Sequence, residues 1–205
     1  MSEHPSSALE RTLVLVGLMG AGKSTIGRRL AARLGMPFVD ADSEIEAAAG
    51  CSIADIFELH GEEAFRDGER RVIERLLGPP VKILATGGGA FMQDETRDLI
   101  KQGALSLWLR ADLDILHRRT SRRTSRPLLL KGNPREVLAG LMAERHPVYA
   151  QSDMVVETDD SPHAIVVDRI IDTLIARGDL KGPPPGRHAD DADEVDEVDE
   201  DGDDL

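Results

Sequence analysis

Apolar residues alternate along this chain between two rhythms. Short runs of strand length, rich in Val, Ile and Leu, lie near Thr12 to Val16, Phe38 to Val39, Val81 to Thr86, Ala104 to Leu109 and Met154 to Glu157. Between them the apolar positions recur with the helical period. This predicts helices over 23–34, 45–49, 53–59, 62–77, 95–102, 113–122, 134–150 and 162–177. Strands without polar alternation, separated by helices, are the mark of a parallel sheet covered on both faces. The predicted fold is therefore α/β, a three-layer α/β/α arrangement around a five-stranded parallel sheet. No internal repeat is visible.

Composition bears chiefly on the ends. Of the 38 acids in the 205 residues, eleven fall between Asp190 and Asp204, where there is no base. Outside that stretch 27 acids face 25 bases, so the net charge of −13 reduces to −2. The run Pro183 to Gly186 reads as a stiff linker, and the acidic sequence after it has too little apolar surface to fold. Residues 1–10 read as a flexible N-terminus, 11–178 as one domain, and 179–205 as linker and disordered acidic tail. A solubility role for the tail is the simpler reading; the other is a basic partner.

With one cysteine, Cys51, no internal disulfide is possible, which fits a reducing compartment. The N-terminal residues lack the apolar stretch of a signal peptide, and no run reaches membrane-spanning length. A cytoplasmic protein without membrane partner is expected. No basic patch with interleaved aromatics points to nucleic acid.

The most specific chemistry lies just after the first strand. Gly17 to Thr25 matches G-x-x-x-x-G-K-[ST] at each fixed position, between an apolar strand and a helix with Ile26, Leu30 and Leu34 on one face. Glycines let the backbone close round phosphate oxygens, the helix N-terminus adds partial positive charge, and Lys23 adds a full one. Ser24 is placed to give its hydroxyl to Mg²⁺. A bound nucleoside triphosphate follows.

In such a sheet ligands sit beyond the carboxyl ends of the strands. The second strand ends in Asp40-Ala-Asp42, whose spacing by two puts both carboxylates on one side of an extended segment. One could hold Mg²⁺ through water while the other meets a substrate hydroxyl, but taken alone the pair reads more readily as a helix cap, with Asp42 or Ser43 capping. After the third strand come Gly87, Gly88 and Gly89, a backbone that a ligand can approach closely or simply a tight turn. Arg66 has Glu69 at i+3 and Arg70 at i+4, the spacing of a surface ion-pair ladder. Arg66 and Arg145 also have the side chain best suited to grip a carboxylate. The five arginines between Arg118 and Arg126 form either a solvated loop or a lid over the triphosphate.

Seven separated segments, in order and spacing, resemble shikimate kinases. They are the phosphate loop, Asp40-Ala-Asp42, Ser52 to Phe57, Gly61 to Glu69, Gly87 to Gly89, Arg126 to Leu129 and Arg145 to Tyr149. The resemblance spans about Arg11 to Arg177. It implies a P-loop kinase fold of the nucleoside-monophosphate-kinase kind, with a shikimate-binding segment over about 40–70 and a lid over about 119–132. It implies phosphoryl transfer from ATP to the 3-hydroxyl of shikimate, on the route to chorismate and the aromatic amino acids, by a monomer using Mg²⁺.

The family's roles fall on Lys23, Asp42 and Arg126 as catalytic residues. Gly20, Ala21, Gly22, Lys23, Ser24, Thr25, Arg119, Arg126 and Pro162 would bind nucleotide, with Arg119 and Pro162 flanking adenine. Asp42, Arg66, Gly87, Gly88, Gly89 and Arg145 would bind shikimate. Ser24 would hold Mg²⁺ directly and Asp40 through water. Asp159-Asp160 departs from the family where basic residues are usual, and the acidic tail is outside its pattern. Another P-loop small-molecule kinase, such as a gluconate kinase, and a catalytically idle nucleotide-binding module are the competing readings.

Overall fold

The computed structural model describes residues 8–121 and 133–181. The expectations for Arg126, for most of the lid and for the acidic tail lie outside these residues.

Five strands form the parallel sheet: β2 (Thr12–Val16), β3 (Phe38–Asp40), β4 (Ile83–Ala85), β5 (Ala104–Arg110) and β6 (Met154–Glu157), in the order β3-β4-β2-β5-β6. The register sets Leu13 of β2 opposite Ile83 on one side and Leu105 on the other. All five residues of β2 are buried, as a central strand covered on both faces requires. β6, at the edge, instead alternates, with Met154 and Val156 inside and Val155 and Glu157 outside. This is the architecture that the apolar rhythm predicts.

The covering helices are α1 (Lys23–Leu34), α2 (Ala41–Ala49), α3 (Ile53–Leu77), α4 (Asp94–Gly103), α5 (Leu113–Ser121), α6 (Pro134–Tyr149) and α7 (His163–Arg177). α1 buries Ile26, Leu30 and Leu34 against the sheet and packs along α7, where Arg33 pairs with Asp168 at 3.0 Å. α2 packs against α3 over a small separate cluster of Ile45, Ile56 and Phe65.

Three differences from the sequence expectations have local causes. α2 begins at Ala41 rather than Ile45, because the cap is Asp40: its backbone is extended and its carboxylate accepts from the Asp42 amide at 3.1 Å. Asp42 therefore stands in the first helical turn and is neither the cap nor part of an extended pair with Asp40. The two helices predicted over 53–59 and 62–77 run together as α3, broken at Gly61 by a backbone of φ 80° and ψ 174° that only glycine adopts readily. Finally, β1 (Ala8–Leu9) pairs antiparallel with β7 (Leu180–Lys181), reaching beyond the expected domain limits at 11 and 178. Strands of two residues are too short to leave a periodic signal.

Candidate active site

The turn from β2 to α1 is built on glycine. Gly17, Gly20 and Gly22 have φ of 139°, 82° and 93°, and a Cβ on Gly17 would stand 2.7 Å from the Leu109 carbonyl oxygen. A side chain is thus excluded twice over, by conformation and by space. Lys23, first in α1, folds back so that Nζ donates to the carbonyls of Gly17 and Leu18 at 2.8 and 3.1 Å. The Ala21 amide donates to the Leu18 carbonyl at 3.2 Å, tightening the loop. Ser24 and Thr25 lie in the first turn of α1, where amides have no partner within the helix. Ser24 Oγ donates to Asp40 Oδ2 at 2.6 Å, which joins the phosphate loop to the end of β3.

Gly87, Gly88 and Gly89 follow β4, and each abuts a different functional side chain. A Cβ on Gly87 would meet Asp42 Oδ1 at 2.8 Å and Glu69 Oε1 at 3.2 Å. One on Gly88 would lie 3.5 Å from both Arg145 Nη1 and the Gly17 carbonyl oxygen, and one on Gly89 would meet Arg66 Nη2 at 2.5 Å. Three residues of bare backbone thus gather Asp42, Arg145 and Arg66 beside the phosphate loop, although they come from α2, α6 and α3. The structure brings these sequence-identified residues to one place.

The charges are unequal in their partners. Arg66 donates to the buried Glu69 at 2.6 Å and to Glu62 at 3.3 Å, so the expected surface ladder with Arg70 is instead a pair facing inward; Arg70 turns to Asp67. Arg145 donates to the Gly88 carbonyl at 3.2 Å. The Nε atoms of both Arg66 and Arg145 are buried without a partner among the described residues. Burial, and then the neighbouring Asp40, raise the Asp42 carboxyl above its ordinary range, against the pull of Lys23 and Arg66. Burial likewise raises Glu69, opposed by its bond to Arg66.

On the other side of the phosphate loop, Arg119 near the end of α5 reaches the Gly20 carbonyl at 3.5 Å and donates to the Asp159 carbonyl. Pro162 caps α7 at the end of the same loop. The residues expected to bind nucleotide thus come from the phosphate loop, α5 and the loop after β6. Arg126 falls outside the described residues. Among those residues no group of three or more His, Cys, Asp or Glu converges as a metal cage.

Two members of the site are not singled out by the sequence reading. Glu69 is only 1% exposed, which its i+3 spacing from Arg66 does not reveal. Tyr149, fully buried one turn beyond Arg145, donates its hydroxyl to the same Gly88 carbonyl, and burial pushes that phenol up to about 12. Its i+4 spacing from Arg145 on α6 is the signal that would have found it.

A phosphate loop at the central strand of a parallel sheet, beside a glycine run that gathers the carboxylates of Asp42 and Glu69 and two guanidinium groups, defines a P-loop kinase of small molecules. A family model described as shikimate kinase matches residues 19–175. The chain belongs to the shikimate kinase family, and it is an enzyme of that kind. It is 58% identical to the shikimate kinase of Paramagnetospirillum magneticum over 178 residues, covering 86% of this chain and 90% of that protein. It is 55% identical to that of Rhodopseudomonas palustris over 165 residues, covering 80% and 81%. Among solved structures it resembles the shikimate kinase of Acinetobacter baumannii in complex with shikimate, with a TM-score of 0.78 and 37% identity over 82% of this chain and 94% of that one. A gluconokinase from Sinorhizobium meliloti shares the fold at a TM-score of 0.54 and 17% identity.

Proposed function

We propose that the enzyme transfers the γ-phosphoryl group of ATP to the 3-hydroxyl of shikimate, releasing ADP and shikimate 3-phosphate, and that Asp42, Arg66 and Arg145 bind the acceptor. The observation that carries the assignment of residues is the glycine run with one functional side chain against each member. A carboxylated triol needs cations at one end and a hydroxyl acceptor at the other, and Arg66, Arg145 and Asp42 supply these. Asp42 takes the proton as the hydroxyl oxygen bonds to the γ-phosphorus and the bond to the β–γ bridging oxygen breaks. Its raised carboxyl suits a base that must hold a proton in passing.

Lys23 and Arg126 supply positive charge to the transferring group, and Gly20 to Thr25 cradle the phosphates. Arg119 and Pro162 flank the base. Ser24 would hold Mg²⁺, with Asp40 reaching it through water. Their 2.6 Å hydrogen bond fits this role, since Mg²⁺ in such sites takes one or two protein oxygens together with phosphate and water. The ion would neutralise charge on the β- and γ-phosphates.

The same reading makes the enzyme a cytoplasmic monomer acting without nucleic-acid or membrane partners. The near balance of 27 acids and 25 bases outside 190–204 leaves no net positive charge to attract a polyanion.

Coupled ADP release with shikimate, quinate or gluconate as acceptor tests the assignment. Turnover is expected with shikimate; turnover with gluconate alone would overturn it.

A further inference from the structure

The loop after β6 runs from Thr158 to Ser161 and is gripped from behind by one side chain of α7. Arg169 Nη1 donates to the Glu157 carbonyl at 3.3 Å and to Asp159 Oδ2 at 3.1 Å, and Nη2 reaches Ser161 Oγ at 3.5 Å. Asp159 Oδ1 accepts from the Ser161 amide at 2.9 Å, closing the turn on itself. On the strand side, the Thr158 amide donates to the Arg110 carbonyl at 2.6 Å and continues the sheet ladder. What the loop turns toward the nucleotide side is the Asp159 carbonyl, which accepts from Arg119 Nη2. Arg119 is thus strung between that carbonyl and the phosphate loop at Gly20.

A guanidinium that is to lie flat against a base must have its plane fixed beforehand, or part of the binding energy is lost in ordering it. Arg119 is half-buried and has a single close acceptor on this loop, so the orientation of its head follows the Asp159 carbonyl. The residue that carries this carbonyl is held in turn through its carboxylate, which accepts from the Arg169 fork. A lysine, with one point charge, cannot span the same three acceptors. The Arg118–Asp160 pair beside it is exposed at both ends and adds little.

We infer that Arg169 is a positioning residue for the nucleotide, orienting Arg119 through Asp159. It rests on the reading that Arg119 and Pro162 flank the base.

Steady-state kinetics with ATP and shikimate varied separately, on Arg169→Ala, Arg169→Lys, Asp159→Asn and Arg119→Ala, test it. Arg169→Ala and Asp159→Asn should each raise KM for ATP about three- to tenfold, the loss expected for a partly exposed charged hydrogen bond. The double variant Arg169→Ala/Asp159→Asn should be no worse than the worse single, Arg169→Lys should recover only part, and KM for shikimate and kcat should stay within about twofold. Asp159→Asn keeps the oxygen that closes the turn, so it carries the test if Arg169→Ala does not fold. If Arg119→Ala raises KM for ATP and neither Arg169→Ala nor Asp159→Asn does, the inference fails while the base site stands. If Arg119→Ala leaves it unchanged, the base-site reading fails and takes the inference with it. Equal losses for both substrates would mark Arg169 as a structural clip and also overturn it.

Discussion

Arg66 Nη1 donates to Glu69 Oε2 at 2.6 Å, and Glu69 is sealed from solvent while Arg66 is one-fifth exposed, at 19%. The carboxylate is deeper than the guanidinium it holds. In the proposed acceptor site a shikimate carboxylate would meet a guanidinium anchored at Nη1 by Glu69, its Nη2 held only by the longer, exposed contact with Glu62 at 3.3 Å. Removing Glu69 would free the fork to swing and would leave buried charge without its counter-ion. Glu69→Ala is expected to raise KM for shikimate by about tenfold or more with KM for ATP unchanged, and Glu69→Gln, which keeps an acceptor oxygen, by a smaller factor. An equal rise for both substrates in steady-state kinetics would refute a role specific to the acceptor site.

Gly89 offers a sharper test of the same clamp, because its φ of −96° is open to any residue. What forbids a side chain there is Arg66: an added Cβ would lie 2.5 Å from Nη2, 2.7 Å from Nη1 and 2.8 Å from Cζ. The obstructing atoms are the end of a flexible side chain, so the fold should yield by moving Arg66 rather than by unfolding. Gly89→Ala is expected to raise KM for shikimate about tenfold while Tm changes by only a few degrees. Calorimetry together with kinetics separates the outcomes; a large fall in Tm without a change in KM would contradict the clamp geometry.

The phosphate loop was legible because its pattern is local: nine consecutive residues from Gly17 to Thr25 contain both the turn and the start of its helix. Asp42, Arg66 and Arg145 are far apart in sequence, and only the family resemblance joined them before the sheet did. Glu69 was not legible as a site residue, because the same i+3 spacing serves an exposed ladder and a buried anchor, and burial is decided by what α2 and the glycine run bring over it. The cap of α2, expected at Asp42 or Ser43, falls on Asp40 for a related reason. Either aspartate can cap a helix in isolation, and the register of β3 beside β4 selects the earlier one. Arg169 works across a turn from the far end of its loop, a relation with no fixed spacing to read.

Asp42 should show opposite effects on activity and stability. Burial and the nearby Asp40 raise its carboxyl above the ordinary value of 3.8, so the folded protein retains a proton over a pH range where the unfolded chain has released it. Stability contributed by this group is therefore greatest at low pH and declines as pH rises through the raised value; at neutral pH the folded state carries the cost of a half-buried charge. Asp42→Asn removes that cost and should raise the Tm of the free enzyme at pH 7 by roughly 2–4 °C, as for about 1 kcal/mol in a domain of this size. The gain should vanish as pH approaches 4. The same substitution removes the proton acceptor and should lower kcat about a thousandfold with ATP binding nearly intact. In the wild-type enzyme the acid limb of kcat/KM should lie above the ordinary carboxylate range, since the base must be ionised to act. Denaturation of both proteins across pH 4 to 8, beside the pH–rate profile, decides the matter: a Tm difference that grows toward acid would reverse the predicted linkage and remove Asp42 as the buried, proton-retaining base.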